Sequence, residues 1–276
     1  MTYKLLTLNL HSWMEEQPLL KLDILAQEII KQDYSMIALQ EINQLITSPT
    51  TTTDDFFCAT PQQHAIKQDN FALLLINRLK ELGSHYYWGW AYNHIGYDKY
   101  EEGVALLSKT PLVTSAHTIS QRQDPTDYRT RTVLIGETQL DHQSLTIVSG
   151  HYSWWINSEE GFAYEWQRLI EHLPPEQPLI LAGDFNNPAH LPREGYELVM
   201  RSSLELTDAF LDAKETVGEF TVEKTIDGWE ENTQQLRIDY IFGRGVFFET
   251  YRIKFNGIDT SIISDHFGIE SALTFL

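Results

Sequence analysis

The sequence predicts an α/β domain in which two packed β-sheets carry helices on their outer faces. Three observations support this fold class. Segments with strand character outnumber segments with helical periodicity, the two kinds interleave along all 276 residues, and 42% of the residues are hydrophobic, which suffices for a large core. Two-sheet folds often reach this length as one unit, and the chain shows no repeat, low-complexity tract or linker, so we expect a single domain over 1–276.

The first third of the chain predicts alternating strands and helices. "YKLLTLNL" and "SMIALQEI" are both typical of short buried strands, and between them apolar residues recur at the helical period from Leu22 to Ile30. A second helix is predicted over "DNFALLLINRLKELG", with Asp69 as its cap and Gly83 at its end. The polar, threonine-rich residues 43–67 predict a surface loop.

The remainder of the chain is richer in strands. An aromatic segment, residues 85–103, leads into the strand "VALLSKTPL". "TVLIGETQL" and "SLTIVSGHY" predict paired strands, and an amphipathic helix capped by Ser158 follows. Further on we predict the strand "PLILAGDFN", a helix around "LPREGYELVMR", the strand "LRIDYIFG", a strand pair around "FFETYRIKF" and the closing segment "SDHFGIESALTF". This order fits two mixed sheets better than a strictly alternating parallel fold.

Composition narrows the classes of partner. With 39 acidic and 20 basic residues the formal net charge is −19, which disfavours nucleic acid because such binding relies on Lys and Arg at phosphates. The excess also serves solubility, and it leaves open a small phosphorylated substrate reached through a metal. One cysteine, Cys58, excludes an intramolecular disulfide. No apolar run approaches the ~20 residues of a membrane span, so we expect a soluble cytoplasmic protein with no membrane contact and no obligate protein partner.

Polar residues stand where predicted strands begin or end. Taken singly each has an ordinary explanation, such as a turn former or a helix cap. Asp239 is harder to explain in this way, because a carboxylate inside the apolar "IDYIF" is costly without a partner. The residues at strand ends are Asn9, Glu41, His151, Asp184, Asn186, Asp265 and His266.

The combination of these residue types points to metal-assisted phosphoester cleavage. Mg²⁺ prefers oxygen ligands, usually one or two carboxylates together with water and phosphate oxygens. Histidines can move protons near neutral pH, and an acid beside a histidine fixes its tautomer and orientation. Carboxylates, amides and histidines gathered at strand tips would supply all of these functions.

Seven motifs resemble one enzyme superfamily in their order and approximate spacing. They are "LLTLNLHSW", "IALQEI", "EGVALLSK", "SGHYSWW", "LAGDFNNP", "RIDYIF" and "SDHFGIE", and they span residues 3–275. The superfamily is that of the endonuclease/exonuclease/phosphatase proteins, which includes deoxyribonucleases, inositol polyphosphate phosphatases and sphingomyelinases. The resemblance implies a deoxyribonuclease-like four-layer α/β/β/α sandwich, made of two packed mixed β-sheets with flanking helices.

The resemblance also implies a metal centre. Glu41 corresponds to the main metal ligand, with Asn9 beside it and Asp265 completing the acidic cluster. The implied cofactor is Mg²⁺, with Mn²⁺ as the alternative. Asp184 and Asn186 correspond to residues that contact the phosphate and the attacking water.

The histidines receive roles in the same way. His266 resembles a histidine paired with an acid, here Asp239, and either His266 or Asp184 could act as general base. His151 resembles the second histidine, which donates to the phosphate or leaving group. Glu102 matches a glutamate that orients His151, although a surface acid would explain it equally well. Arg131 matches a phosphate-side arginine, although an ordinary exposed arginine is equally compatible with the sequence.

The substrate is predicted from the surroundings of these motifs. The absence of a basic stripe disfavours a nuclease, and the absence of an exposed apolar hairpin disfavours a sphingomyelinase-like lipase. Trp154 and Trp155 are expected to form a wall of the substrate pocket, since flat aromatic faces suit sugar rings. "LNLHSW" and "SGHYSWW" resemble the bacterial subgroup that includes maltose 6′-phosphate phosphatase, which implies a small phosphorylated substrate, a sugar phosphate.

Two alternatives stay open at this point. One is a metal-dependent phosphodiesterase or nuclease of the same superfamily. The other is a non-catalytic binding relative, which would be expected to have lost a metal ligand or a histidine, and no such loss is visible here. Either loop 43–67 or loop 85–101 could close over the substrate.

Overall fold

The computed structural model describes residues 1–155 and 160–276. Fourteen strands alternate with short helices along this part of the chain. The strands are β1 (Tyr3–Asn9), β2 (Met36–Gln40), β3 (Gln44–Leu45), β4 (Tyr87–Gly96), β5 (Tyr100–Ser108), β6 (Val113–Thr118), β7 (Thr132–Leu140), β8 (Gln143–His151), β9 (Leu179–Asp184), β10 (Thr207–Asp208), β11 (Glu215–Val217), β12 (Asp239–Arg244), β13 (Val246–Lys254) and β14 (Gly268–Phe275). The helices are α1 (Pro18–Gln32), α2 (Phe71–Glu81), α3 (Phe162–Ile170), α4 (Gly195–Met200) and α5 (Ala209–Asp212), and a 3₁₀ turn covers Ser12–Met14.

The strands form two mixed sheets. The first has the order β11-β13-β14-β1-β2-β5-β3, with β4 also paired to β5. The second has the order β10-β12-β9-β8-β7-β6. Each sheet contains a central parallel pair, β1 with β2 and β8 with β9, flanked by antiparallel strands. Parallel pairs need long crossovers, and helices α1 and α3 provide them.

Alternating apolar side chains create the layers. In β1, Leu5 faces the second sheet and belongs to the core between the two sheets, whereas Leu6 faces outward and packs beneath α1 and α2. A third cluster, which includes Trp166 and Phe185, fills the space between the second sheet and helices α3 and α4. The arrangement is therefore helix, sheet, sheet, helix, and the predicted fold class is confirmed.

Helix boundaries differ from the prediction at two caps. The N-cap of α2 is Asn70, whose side chain accepts a hydrogen bond from the Leu73 amide at 3.1 Å, so the prediction of Asp69 was wrong by one residue. Asp69 instead accepts from the Leu45 amide in β3. Helix α3 begins after Gly161. The predicted cap, Ser158, lies outside the described residues.

Three strand predictions also require correction. Residues 85–101 are not a loop, because β4 and β5 pair across this segment as a hairpin. Strand β6 was not predicted, and its partly exposed side chains explain why, since they lack a continuous apolar run. The segment "FFETYRIKF" is one strand, β13, which pairs with β14 and β11 rather than folding back on itself.

No helix in the described part of the chain is long and apolar enough to cross a membrane.

Candidate active site

One edge of the sandwich collects the polar residues that were singled out in the sequence. The parallel strands β1, β2, β8 and β9 all end at this edge, and the antiparallel strands β12 and β14 begin there. In the second sheet the register places His151 opposite Asp184, and Asp184 opposite Asp239. Strand topology alone therefore brings residues that are distant in sequence to one place.

Asn9 joins the two sheets at the base of the site. Its Nδ2 donates to Glu41 Oε1 at 2.8 Å and to Asp184 Oδ2 at 3.1 Å, while its Oδ1 accepts from the His11 amide. Because both N–H groups point to carboxylates, Asn9 orients Glu41 and Asp184 in this arrangement. Its direct contact with a metal stays a prediction.

Glu41 occupies an unusual backbone conformation. Its φ is 52°, in the left-handed region that costs a non-glycine residue about 1–2 kcal/mol. Such strain concentrates at functional sites. Burial raises the pKa of Glu41, and the charge of Glu102 adds to this effect. The site thus holds carboxylates close enough together to oppose one another's ionisation.

Asp239 and His266 form the acid–histidine pair that the sequence predicted. Asp239 Oδ2 lies 2.9 Å from His266 Nδ1, and both residues are buried. A carboxylate can only accept here, so Nδ1 carries a proton and Nε2 faces Asp184 Oδ2 at 3.7 Å. Burial lowers the pKa of His266, but the negative charges of Asp239 and Asp184 outweigh it and hold that pKa well above its usual value.

His151 lies beside Glu102, on the opposite side of Asp184 from Asp239. Its Nδ1 lies 3.4 Å from Glu102 Oε1, and its Nε2 lies 3.6 Å from Asp184 Oδ2. Glu102 is 5% exposed, so the reading of a surface acid is wrong. Burial opposes the ionisation of Glu102, but the pKa falls below its usual range because His94, His151 and Arg131 surround the carboxylate.

Arg131 is buried as well, which excludes an ordinary exposed arginine. It is 2% exposed, and its Nη1 lies 3.9 Å from Glu102 Oε1. Within the described residues, its Nε and Nη1 atoms have no hydrogen-bond partner. Unpaired guanidinium donors in a buried position are costly, so an anionic ligand would stabilise them.

Asp265 lies at the rim of the site beside His11. Its Oδ1 is 3.7 Å from His11 Nδ1, and its backbone amide donates to Glu15 Oε1 at 3.2 Å. Despite partial burial, the hydrogen bond to Glu15 and the charges of Glu41 and Asp265 raise the pKa of His11 to about 9. The pairing of His11 with Asp265 was not predicted.

A cavity of about 760 Å³ opens above these residues. Glu41, Asp184 and His266 lie at its floor, and Trp154 and Trp155 form part of its wall, as the sequence predicted for a pocket boundary. Another part of the wall comes from the loop between β11 and β12. Its Asp227, Gly228, Trp229 and Glu230 line the cavity together with Tyr97 and Tyr128.

Comparisons with known proteins identify the family. The sequence profile described as "Endonuclease/Exonuclease/phosphatase family" matches residues 13–266, most of the chain. The chain belongs to the endonuclease/exonuclease/phosphatase family. A search of curated protein sequences finds no match.

Solved structures of this family share the fold over nearly the whole chain. An endonuclease/exonuclease/phosphatase family protein from Leptotrichia buccalis C-1013-b is 30% identical, with a TM-score of 0.85 and coverage of 99% of this chain and 100% of that one. The mannosyl-6-phosphatase of Bacteroides thetaiotaomicron VPI-5482 is 15% identical, with a TM-score of 0.65 and coverage of 99% and 100%. Truncated TDP2 from Caenorhabditis elegans is 16% identical, with a TM-score of 0.61 and coverage of 100% and 98%.

Enzymes of the endonuclease/exonuclease/phosphatase family hydrolyse phosphoesters and depend on divalent metals, and the donor set here fits such an ion. Among the described residues no Lys or Arg lies within 4.0 Å of the Glu41 carboxylate, which faces the cavity beside Glu102. Carboxylates gathered in this way suit a hard cation. Among the described residues, the donor atoms close enough together to share one ion belong to Asp184, Asp239 and His266 and to His11, Glu15 and Asp265, so the role of Glu41 as the main ligand stays a prediction.

Three residues of the site could not be found from the sequence. His94 faces Glu102 across the β4–β5 pair, with Nε2 at 3.7 Å from Glu102 Oε2, but inside an aromatic segment it looks like an ordinary strand residue. Glu165 in α3 accepts from the Ser153 amide at 2.8 Å and so supports the turn that follows His151. Trp229 lies in a loop, and only its isolation among acidic residues could have drawn attention to it.

Proposed function

We propose that this protein is a Mg²⁺-dependent phosphoric monoester hydrolase whose substrate is a phosphorylated sugar. The observation that carries the proposal is the meeting of Asp184, His151 and His266 at one cavity floor, beside Glu41. Two protonatable rings that each place Nε2 within 3.7 Å of the same carboxylate oxygen, Asp184 Oδ2, suit the transfer of protons around a phosphoryl group.

The side chains divide the chemistry between them. A divalent cation bound at Glu41 would neutralise charge on the phosphoryl oxygens. Asp184 is the acceptor to which a water could lose its proton, because its Oδ2 faces both histidines and the cavity. His266, whose Nδ1–H is held by Asp239 and whose raised pKa keeps both ring nitrogens protonated, presents Nε2–H toward the same point and can donate to a phosphoryl oxygen.

His151 and Arg131 complete the proposed phosphate site. His151 lies on the opposite side of Asp184 from His266, so it is placed to donate to the leaving oxygen, with Glu102 Oε1 3.4 Å from its Nδ1. The unpaired Nε and Nη1 atoms of Arg131 supply a fixed positive charge. In-line attack is favoured by hydrogen-bond donors to the phosphoryl oxygens and to the oxygen that leaves on the opposite side, and this arrangement provides both.

The composition of the cavity supports a substrate with one phosphoryl group and a neutral remainder. Among the described residues that line the cavity, Arg131 is the only Lys or Arg, whereas the lining also includes the acidic residues Glu194, Asp227 and Glu230. Acidic and aromatic side chains suit hydroxyl-rich rings and repel a second phosphate. The mannosyl-6-phosphatase among the structural neighbours is consistent with this substrate class. On this proposal the protein acts in the cytoplasm and binds no nucleic acid.

A screen of phosphate release tests the proposal. Hexose and disaccharide monophosphates, nucleotides, inositol polyphosphates and single- and double-stranded DNA would be compared with Mg²⁺, with Mn²⁺ and with EDTA. We expect release from sugar monophosphates with Mg²⁺ and none with EDTA. Cleavage of DNA without release from any sugar phosphate would replace the proposal with a phosphodiesterase activity, for which the structural similarity to TDP2 leaves room.

A further inference from the structure

We propose that Trp229 is a positioning residue that acts through Asn186, fixing the amide of Asn186 so that one N–H faces the phosphoryl site. This inference rests on the proposed phosphoester hydrolysis and adds a residue to it. The central observation is that the Trp229 indole Nε1 lies 2.9 Å from Asn186 Oδ1, inside the cavity that both residues line.

The two partners of the Asn186 amide determine its orientation. An indole N–H can only donate, so the atom facing Trp229 must be the carbonyl oxygen of the amide. On the other side, the backbone carbonyl of Tyr152 lies 3.0 Å from Nδ2 and can only accept, so that atom must be the nitrogen. Both contacts therefore select the same orientation of the amide.

This orientation leaves one donor of Asn186 uncommitted. The Nδ2 group carries two hydrogens, and Tyr152 takes one of them. Asn186 is 4% exposed and adjoins Asp184, whose Oδ1 accepts from the Asn186 amide at 2.9 Å. The second N–H is thus available beside the proposed phosphoryl site. A flipped amide would present an oxygen there and repel phosphate oxygens instead.

The loop that carries Trp229 has its own supporting core. Val222, Ile226, Leu236 and Ile238 form a separate hydrophobic cluster against which Trp229 packs. The backbones of Val222 and Leu236 are bridged, and this closes the base of the loop. A segment that is self-packed in this way can hold an indole in one position, as a positioning role requires.

The tip of the same loop contacts two other walls of the cavity. Gly228 has φ +79°, and a Cβ atom at this position would lie 2.4 Å from Trp154 Cζ2. Asp227 accepts a hydrogen bond from the Tyr97 hydroxyl at the β4–β5 turn. These contacts hold the tip of the loop in place over the cavity. They therefore help to keep Trp229 at hydrogen-bonding distance from Asn186.

A double-mutant cycle separates positioning from direct contact with the substrate. Trp229→Phe keeps the aromatic wall and removes the N–H donor. With p-nitrophenyl phosphate and Mg²⁺ we expect kcat to fall about tenfold, with KM changed less than about twofold. In an Asn186→Ala background, Trp229→Phe should cause less than about a twofold further loss, because the group through which it acts is gone.

Two further variants sharpen the cycle. Trp13→Phe is the matched control, because the Trp13 indole donates to the Asp69 carbonyl at 2.9 Å, away from the cavity-lining residues, and we expect its kcat to stay within about twofold of the wild type. Asn186→Asp keeps the acceptor for Trp229 but loses the N–H, so it should lose as much kcat as Asn186→Ala. The proposal would be overturned if Trp229→Phe lowered kcat about tenfold in the Asn186→Ala background as well. It would also be overturned if Trp229→Phe raised KM and left kcat unchanged.

The affinity for inorganic phosphate tests the role of Trp229 without any measurement of catalytic turnover. Titration calorimetry with phosphate and Mg²⁺ should show affinity reduced severalfold by Trp229→Phe and not reduced further in the Asn186→Ala background. If the wild type hydrolyses no ester but this pattern holds, the proposed reaction fails and the role of Trp229 stands. An unchanged phosphate affinity in Trp229→Phe would overturn the role of Trp229 itself.

Discussion

Gly150 and Gly183 are register partners in the parallel strands β8 and β9, and the space around each of them excludes a side chain. A Cβ atom on Gly183 would lie 2.0 Å from the Gly150 carbonyl oxygen, and Gly183 has φ +147°. A Cβ atom on Gly150 would meet the ring of Tyr152 at 2.4 Å. The next residues along the two strands are His151 and Asp184, so this close approach sets the spacing of these two residues at the cavity floor.

We therefore expect Gly183→Ala to destabilise the protein by about 3 kcal/mol or more, because strands β8 and β9 must separate to admit the methyl group. Urea unfolding followed by circular dichroism would measure the loss. Gly83→Ala is the matched control, since Gly83 also has positive φ, +85°, but a Cβ atom there meets nothing within 4 Å. Its cost should be about 1–2 kcal/mol. Equal losses in the two variants would contradict the steric argument.

The central strands could be predicted because the sequence of each strand alone shows its strand character. Strands β2 and β9 are continuous apolar runs and β1 is mostly apolar; all three end in polar residues, and a buried strand needs no polar terminus. The β4 strand escaped prediction because glycine, asparagine and histidine interrupt it, and its stability comes from pairing with β5 along its length. The local pattern carries no information about a partner strand.

The same distinction applies to the site. Asn9, Glu41, Asp184 and His266 could be proposed from the sequence because strand ends at one sheet edge converge by topology. His94 and Trp229 could not, because each reaches the cavity through a contact that only the tertiary structure creates, His94 across a hairpin and Trp229 from a self-packed loop. Polar residues that directly flank buried strands can be proposed from the sequence, whereas residues whose place in the site depends on a tertiary contact cannot.

The proposed division of roles makes Asp184 and His266 essential for turnover. Asp184→Asn and His266→Gln should each lower kcat by about 10² to 10⁴-fold, the range for the loss of a positioned proton-transfer group. Phosphate release from p-nitrophenyl phosphate would measure the rates, and circular dichroism would confirm that both variants are folded. His85→Gln, on an exposed ring away from the cavity, should keep the wild-type rate. Near-normal turnover in either site variant would refute the assigned role.

Binding of a metal ion at Glu41 should affect the stability of the protein as well as its activity. Glu41→Gln keeps the hydrogen bond from Asn9 while removing a charge that Glu102 opposes, so in EDTA the variant should be at least as stable as the wild type. Saturating Mg²⁺ should add about 2–3 kcal/mol to the wild type and much less to the variant. Thermal unfolding with and without Mg²⁺ would measure both effects.

Glu137→Gln provides the control for this experiment. Glu137 is an exposed carboxylate on β7, outside the cavity, and its loss should leave the Mg²⁺ effect intact. If Mg²⁺ stabilised Glu41→Gln as strongly as the wild type, the ion would have to bind elsewhere, and the assignment of Glu41 would be wrong.

A buried ion pair far from the site should make stability depend on pH. Lys254 Nζ in β13 lies 2.7 Å from Glu28 Oε1 in α1, and both residues are 7% exposed. Burial alone would raise the pKa of Glu28, but the hydrogen bonds from Lys254 and Gln32 lower it below its ordinary value of 4.5. A carboxylate with a depressed pKa stabilises the fold above the pKa of the unfolded chain. That stabilisation is lost as the pH falls through the folded pKa.

Lys254→Met should therefore cost about 2 kcal/mol at pH 7, since Lys31 and Gln32 still partly compensate Glu28. The difference from the wild type should shrink when urea unfolding is repeated below pH 4.5, where Glu28 begins to protonate in the unfolded chain. Lys31→Met is the control, because Lys31 is 67% exposed at 3.5 Å from Glu28 and should contribute less than about 1 kcal/mol. A gap between wild type and Lys254→Met that stays constant from pH 7 to pH 3.5 would show that lost packing, rather than the charge of Glu28, accounts for it.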